Sequence, residues 1–330
     1  MSAWRAIVLL VGLLTWSTMG LAQAVVDGHG SLASWLGRAQ QASRQSVYSG
    51  TIVVSSASSF TSARIWHIFD GNQQLERVEM LSGVPRAIFR HNDQVVTFFP
   101  QTRMAVAEAR ESLGLFPELL KSSDVTLDSY YQLKELGQDR MAGFETDVVQ
   151  LVPKDRLRYG YRIWSERRTG LILRLQTLDL QGRILEQAAF SELQLDAALS
   201  ASKLLRSGST EGYRVIRAEM QKTTPEAQGW VVRREVDGFK PVSCYQRPVA
   251  NVPGEAGALA LQCLFGDGVA TVSLFAEVFD PRRHLREGES NLGGATRSLT
   301  RRVQNWWLTA MGEVPSGTLA AFANSMERNR

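Results

Sequence analysis

Four histidines, His29, His67, His91 and His284, are the first residues to test, because imidazole ligates zinc and moves protons near neutral pH. None stands at a metal-ligand spacing from another, so they argue for no metal centre. Ser200-Ala-Ser-Lys203 matches the Ser-x-x-Lys pattern of penicillin-recognising enzymes, in which the serine is the nucleophile. Its companion Lys-Thr-Gly is absent, and a four-residue match arises readily by chance. Glu118, Asp124 and Asp128 near Tyr130 offer carboxylates for acid–base work, but an exposed polar face accounts for them better. There is no Gly-x-Ser-x-Gly elbow and no glycine loop that cradles phosphate. Hydrolysis at Ser200 is the weakest reading. No cofactor or metal is implied, and the chain reads as a binding protein rather than an enzyme.

Cys244 and Cys263 are the only cysteines. Each lies in a strand-like run, Pro241-Val-Ser-Cys-Tyr-Gln and Leu259-Ala-Leu-Gln-Cys-Leu-Phe, and the Asn251–Gly257 stretch between them is rich in Pro and Gly. Strands joined in this way tend to pair, which brings the sulfurs together. A bridge here encloses 18 residues and stabilises by roughly 3 kcal/mol in the chain-entropy model. A structural disulfide is therefore expected rather than two free thiols. Of 37 basic residues 31 are Arg and only six Lys, and Arg supplies planar forks for carboxylate and phosphate. Clusters stand at Arg167-Arg168, at Arg233-Arg234, at Arg282, Arg283 and Arg286, and at Arg297, Arg301 and Arg302. The last two groups fall within twenty-one residues and are the expected site for an anionic group. Solvated strand ends explain the others.

The compartment follows from the first residues. Arg5 is the only charge before Asp27, Ala6 to Leu14 is an unbroken apolar run, and Ala22-Gln23-Ala24 is a small-x-small cleavage signature. Residues 1–24 thus read as a secretory signal peptide, too short in its apolar part for the roughly 20 residues of a membrane span. Cleavage near Ala24 leaves a soluble, exported chain. Without Arg5 the basic residues fall to 36 against 33 acidic ones, a formal charge of +3. That is too mild for nucleic-acid binding, which needs a concentrated basic face.

The elements that must position these groups change character near residue 200. Leu32 to Ala42 has helical spacing with Trp35, Leu36 and Ala39 inward, and about ten strands follow between Tyr48 and Leu195. They are interrupted only by a helical pattern over 111–121. The expected fold is α+β: a large curled antiparallel sheet, a half-barrel, covered by helices over 25–200. A sheet that wide must curl, close or be covered, and a curled sheet leaves room for an acyl chain. Ile52, Val54, Trp66, Ile68, Val96 and Phe98 are the candidates to line such a cavity, ordinary core being the commoner role of a strand residue. Residues 201–228 are polar and read as a linker, with Tyr213-Arg-Val-Ile as a short strand within it. Residues 229–330 read as a smaller mixed β domain that closes with the strand at Trp306-Trp307, a turn and a terminal helix after Pro315.

A family resemblance covers nearly all of the exported chain. Tyr48-Ser-Gly50, Phe116-Pro-Glu-Leu-Leu120, the run Phe265-Gly-Asp-Gly-Val-Ala-Thr-Val-Ser-Leu-Phe275 with Glu277, Gly294-Ala-Thr296 and Gly312-Glu-Val-Pro315 together resemble the RseB/MucB family, and their order and spacing are specific. The resemblance implies a first domain like lipoprotein carriers such as LolA. It also implies a regulator of a sigma-E or AlgU envelope-stress factor. Such a regulator binds the periplasmic segment of a single-span anti-sigma factor, shields it from site-1 proteolysis, and lets go when lipopolysaccharide or a mislocalised lipoprotein binds. The competing expectation is a lipid or lipoprotein carrier using the same cavity. Self-association as a homo-oligomer is left open by the residues.

Overall fold

The computed structural model describes residues 32–57, 59–109, 127–217, 220–249 and 259–329. The signal peptide, His29, the helix expected over 111–121 with Glu118 in it, Asp124 and the Asn251–Gly257 loop lie outside the described residues. No helix among those described is long and apolar enough to cross a membrane.

Helix α1 (Leu32–Gln45) opens the first unit. Its apolar residues recur at i, i+3, i+4 and i+7, so Leu32, Trp35, Leu36 and Ala39 share one buried face. Eleven strands follow: β1 (Tyr48–Ser56), β2 (Phe60–Phe69), β3 (Gln74–Met80), β4 (Ala87–His91), β5 (Gln94–Phe99), β6 (Met104–Ala109), β7 (Tyr131–Met141), β8 (Phe144–Pro153), β9 (Gly160–Glu166), β10 (Ile172–Leu178) and β11 (Ile184–Leu195). A short helix, α2 (Leu127–Tyr130), leads into β7. With β12 (Arg214–Arg217) these strands form one twelve-stranded sheet, in the order β12-β6-β5-β4-β3-β2-β1-β11-β10-β9-β8-β7.

The sheet must curl around α1. Fourteen residues make a helix about 21 Å long. The apolar clusters containing its residues reach from Val78 on β3 to Tyr131 on β7. Those strands are seven steps apart in the sheet order, or about 34 Å if the sheet lay flat.

The second unit carries β13 (Gln221–Lys222), β14 (Trp230–Val232), β15 (Lys240–Pro248), β16 (Leu259–Gly266), β17 (Thr271–Val278), β18 (Gly288–Gly293), β19 (Thr296–Val303), β20 (Trp306–Gly312) and β21 (Met326–Arg328). Seven of them form a sheet in the order β13-β15-β16-β17-β20-β19-β18, and β14 pairs with β21. Every pairing in this sheet is antiparallel. Among the described residues the one parallel pairing lies in the first sheet, between β12 and β6. The terminal helix, here numbered α4 (Ser316–Ser325) since α3 precedes it at Ala201–Arg206, buries Leu319, Phe322 and Ala323 against Leu308 and Ala310 of β20.

The stretch expected as a linker is tied to both sheets. Leu204 of α3 is buried with Ile68, Leu75, Phe89 and Phe98, and Tyr213 meets the Phe98 ring edge-on with centroids 5.1 Å apart. Gly208 lies so close to the Phe89 ring that no Cβ fits there. β12 then extends the edge of the first sheet, and β13 extends that of the second.

Candidate functional site

The six apolar candidates fall into two groups on opposite faces of the first sheet. Ile52 lies opposite Ala63 in the β1–β2 register, so its face carries Ala63, Ile65 and His67. Ile52 and Val54 pack there with Ala42 of α1, Val78, Leu173 and Phe190. Trp66 and Ile68 alternate to the other face, where they join Val96, Phe98 and Leu204 of α3. Ile52, Ile68 and Phe98 are fully buried, while Val54, Trp66 and Val96 are half-buried. The six therefore do not line one cavity.

The arginine candidates do not converge either. Arg282 grips Asp280 with two bonds of 3.1 Å, and Arg283 bridges Asp280 and Glu277. Glu277 also holds His284 Nε2 at 3.2 Å, and the His284 ring stacks on Trp307. Arg286 is exposed. Residues 297 and 301 sit on one face of β19 and 302 on the other. Arg297 donates to the Tyr159 hydroxyl and Arg301 to Asn324 of α4, while Arg302 lies over the Phe279 ring at 4.0 Å. Arg282 and Arg283 are paired with carboxylates, and Arg297, Arg301 and Arg302 are held by neutral partners.

The remaining sequence-level groups take structural positions. Cys244 and Cys263 face each other across the β15–β16 pair and form a disulfide. The Ser200 hydroxyl accepts from the Lys203 backbone N–H at 3.3 Å and caps α3. His67 is buried, with Nδ1 2.6 Å from the Ser46 carbonyl, and burial pushes its pKa down to about 4. Among the described residues no three His, Cys, Asp or Glu side chains converge as metal ligands.

What does converge is the seam between the two sheets. Arg158, wholly buried, stands at its centre. Its Nε is 2.8 Å from Asp267 Oδ2, close enough for a strong ion pair but without hydrogen-bond alignment. Its Nη1 donates to Asp155 and its Nη2 to the Asp237 carbonyl, and the guanidinium lies 4.5 Å from the centre of the Tyr130 ring. Asp267 is itself wholly buried and takes the Tyr131 hydroxyl at 3.0 Å and the backbone N–H groups of Val269 and Ala270. Burial still raises its pKa, against the lowering effect of those donors and of Arg158. Val269 inserts into the apolar cluster around α1, and the Thr318 hydroxyl donates to the Leu157 carbonyl at 2.6 Å.

Two further turns of the second unit press on the same surface. The Ala295 N–H donates to Glu186 of β11, and Gly294 comes so close to that carboxylate that a Cβ would collide with it. Glu313, in the turn after β20, is pushed up to about 7 by burial and then by the charge of Glu186. Arg158, Tyr131, Glu186 and Glu313 were not sequence candidates. Their signal lay in Gly266-Asp-Gly268, Gly294-Ala-Thr296 and Gly312-Glu-Val-Pro315, three turns whose glycines permit a close approach that sequence spacing does not reveal.

A family model described as the MucB/RseB N-terminal domain matches residues 31–207, and one described as the MucB/RseB C-terminal domain matches 224–327. The chain belongs to the MucB/RseB family. The sigma factor AlgU regulatory protein MucB of Pseudomonas aeruginosa is 28% identical over 299 residues, which cover 89% of this chain and 90% of that protein. The structure of the Pseudomonas aeruginosa MucA/MucB complex superposes with a TM-score of 0.68 at 25% identity, covering 90% of this chain and 99% of that one. MucB in complex with MucA(peri) gives 0.66 at 26% identity, covering 91% and 100%. The first family match ends just after α3 and the second begins just after β13, so β12 and β13 lie between them, and the seam is where the two MucB/RseB units join.

Proposed function

We propose that this MucB/RseB protein is a periplasmic negative regulator of a sigma-E-type factor. It binds the periplasmic segment of a membrane anti-sigma factor that spans the membrane once, shields that segment from site-1 proteolysis, and releases it when an acylated lipid binds. The observation that carries the reading is the match of both family domains along the chain, joined to a shared fold with MucB as seen in its complexes with MucA. The absence of enzymatic activity belongs to this reading, since the Ser200 hydroxyl is spent as a helix cap. So does export: cleavage near Ala24 delivers a two-domain protein, with units 25–200 and 229–330 joined through 201–228. For the lipid, the half-buried Trp66 and Val96 beside α3 are the apolar contacts we favour, with exposed Arg286 available to an anionic headgroup.

Protease protection tests the reading. The mature chain is mixed with the periplasmic segment of the cognate anti-sigma factor and a site-1 protease. Cleavage should slow at least about tenfold, a coupling of roughly 1.4 kcal/mol, and should recover when lipopolysaccharide is added. Cleavage at the same rate with and without the chain contradicts it. Recovery of many lipidated proteins from envelope extract, with no single-span partner among them, would assign the fold to lipoprotein transport instead.

A further inference from the structure

The face of the first sheet that turns away from α1 carries a row of cations and amides. Val149, Ile163 and Leu175 pack with Leu32 and Trp35 of α1, so their sequence neighbours Gln150, Arg162 and Gln176 take the opposite face. Register aligns Lys134 of β7, Gln150 of β8, Arg162 of β9, Gln176 of β10 and Gln187 of β11, each directly opposite the next. The row runs on through Ser55 of β1 to Phe60 of β2, which is 67% exposed. Arg174 stands diagonally from Arg162, about 7–8 Å away in such a pair. Its guanidinium lies 4.2 Å from the centre of the Trp164 ring, and its Nε donates to Gln187 at 2.9 Å. Among the described residues Lys134, Arg162 and Arg174 form no ion pair. Asp139 and Glu166, the carboxylates on this face of β7 and β9, are taken by Trp164 Nε1 at 2.9 Å and by the turn at Thr169. Gln176 is only 2% exposed and its Oε1 has no hydrogen-bond partner; nor has the buried Nε of Arg162 across the strand pair.

We propose that this row binds an acidic saccharide, a sugar chain bearing carboxylates, laid across the strands from Lys134 toward Phe60. The six strand steps between them span about 29 Å along the sheet. The planar forks of Arg162 and Arg174 and the Lys134 ammonium meet the carboxylates. An amide both donates and accepts, as a hydroxyl does, so Gln150 and Gln187 match the ring hydroxyls. A hydroxyl that donates to Gln176 Oε1 and accepts from Arg162 Nε satisfies both atoms once the long Arg162 side chain lifts toward the ligand. The exposed Phe60 ring offers an apolar face to the C–H side of a pyranose. An acidic peptide fits less well. Protein interfaces are anchored by apolar side chains that become desolvated on binding, and on this face Val148, Trp164 and Ala189 are already buried. The site concerns the first sheet alone and stands or falls independently of the anti-sigma reading.

Titration calorimetry of the mature protein at physiological salt tests it, with polygalacturonate as the acidic saccharide, dextran as a neutral one and polyglutamate as an acidic peptide. Polygalacturonate should bind saturably and about tenfold or more tighter than either of the others. Arg162→Gln should weaken that binding about tenfold and Phe60→Ser about threefold. Arg234→Gln, an equal loss of charge at an exposed position of the second unit, should change it by less than about twofold. Phe60 is exposed, so Phe60→Ser keeps the test open if Arg162→Gln fails to fold. No binding of polygalacturonate overturns the site, and so does dextran binding as tightly. Polyglutamate binding as tightly or tighter assigns the face to an acidic peptide instead. Binding that survives in whichever row variants fold, or a loss as large for Arg234→Gln, also overturns it.

Discussion

Arg158 joins more of the seam than any other side chain. It pairs with Asp267 inside a dry interface, reaches Asp155 and the Asp237 carbonyl, and covers the Tyr130 ring. Breaking a buried pair by removing one partner costs about 3–5 kcal/mol, because the remaining charge is stranded. Arg158→Ala should therefore lower the unfolding free energy obtained from urea titration by an amount in that range, with a lower midpoint, and Arg158→Lys, which keeps the charge but loses the fork, should lose less. An unchanged midpoint for Arg158→Ala would show that Asp267 finds water and that the seam is not dry. At this scale the sequence was legible only in part. Cys244 and Cys263 could be paired because both sit in adjoining strands, where register does the rest. The apolar candidates could not be grouped, because which face a residue takes depends on the partner strand. Ile52 opposite Ala63 sends Trp66 and Ile68 to the other side. The arginines failed for a similar reason, since sequence proximity does not show that Asp280 and Glu277 offset the charge of Arg282 and Arg283, or that Asn324 accepts a hydrogen bond from Arg301.

Among the elements, β1 carries a tight backbone constraint. Gly50, in Tyr48-Ser-Gly50, lies against the Glu192 carbonyl and the Phe190 ring, and an added Cβ would collide with the carbonyl. Backbone cannot yield as a side-chain tip can, so Gly50→Ala should cost roughly 1–3 kcal/mol. Thermal unfolding would register this as a fall in Tm, and a Tm equal to that of the natural chain would mean the β1–β11 pairing relaxes freely. The long strands were readable from alternation and β-branched content. β6 was not, because Met104-Ala-Val-Ala-Glu-Ala109 is poor in strand formers and is held by pairing with β5. β18, Gly288-Glu-Ser-Asn-Leu-Gly293, has no apolar face and exists as a polar edge on β19. The parallel addition of β12 to β6 had no local signal at all, since its cause is the path of the chain across α3.

At the scale of the molecule, two sheets are stitched along their edges by one connecting stretch and pressed together at a polar seam built from three glycine turns. That arrangement suits a protein whose units shift relative to one another under a ligand, as coupling between two sites requires. The family and its two-domain plan were visible in the motifs. The seam was not, because it consists of contacts between residues more than a hundred positions apart, such as Tyr131 with Asp267 and Arg297 with Tyr159. On the function proposed above, the chain grips the periplasmic segment of an anti-sigma factor and lipid opposes the grip. Titration calorimetry of the mature chain with that segment, repeated in the presence of lipopolysaccharide, tests it most directly. Saturable binding that weakens about tenfold or more with lipid is the predicted result. No binding in the absence of lipid, or an affinity unchanged by it, would contradict the account.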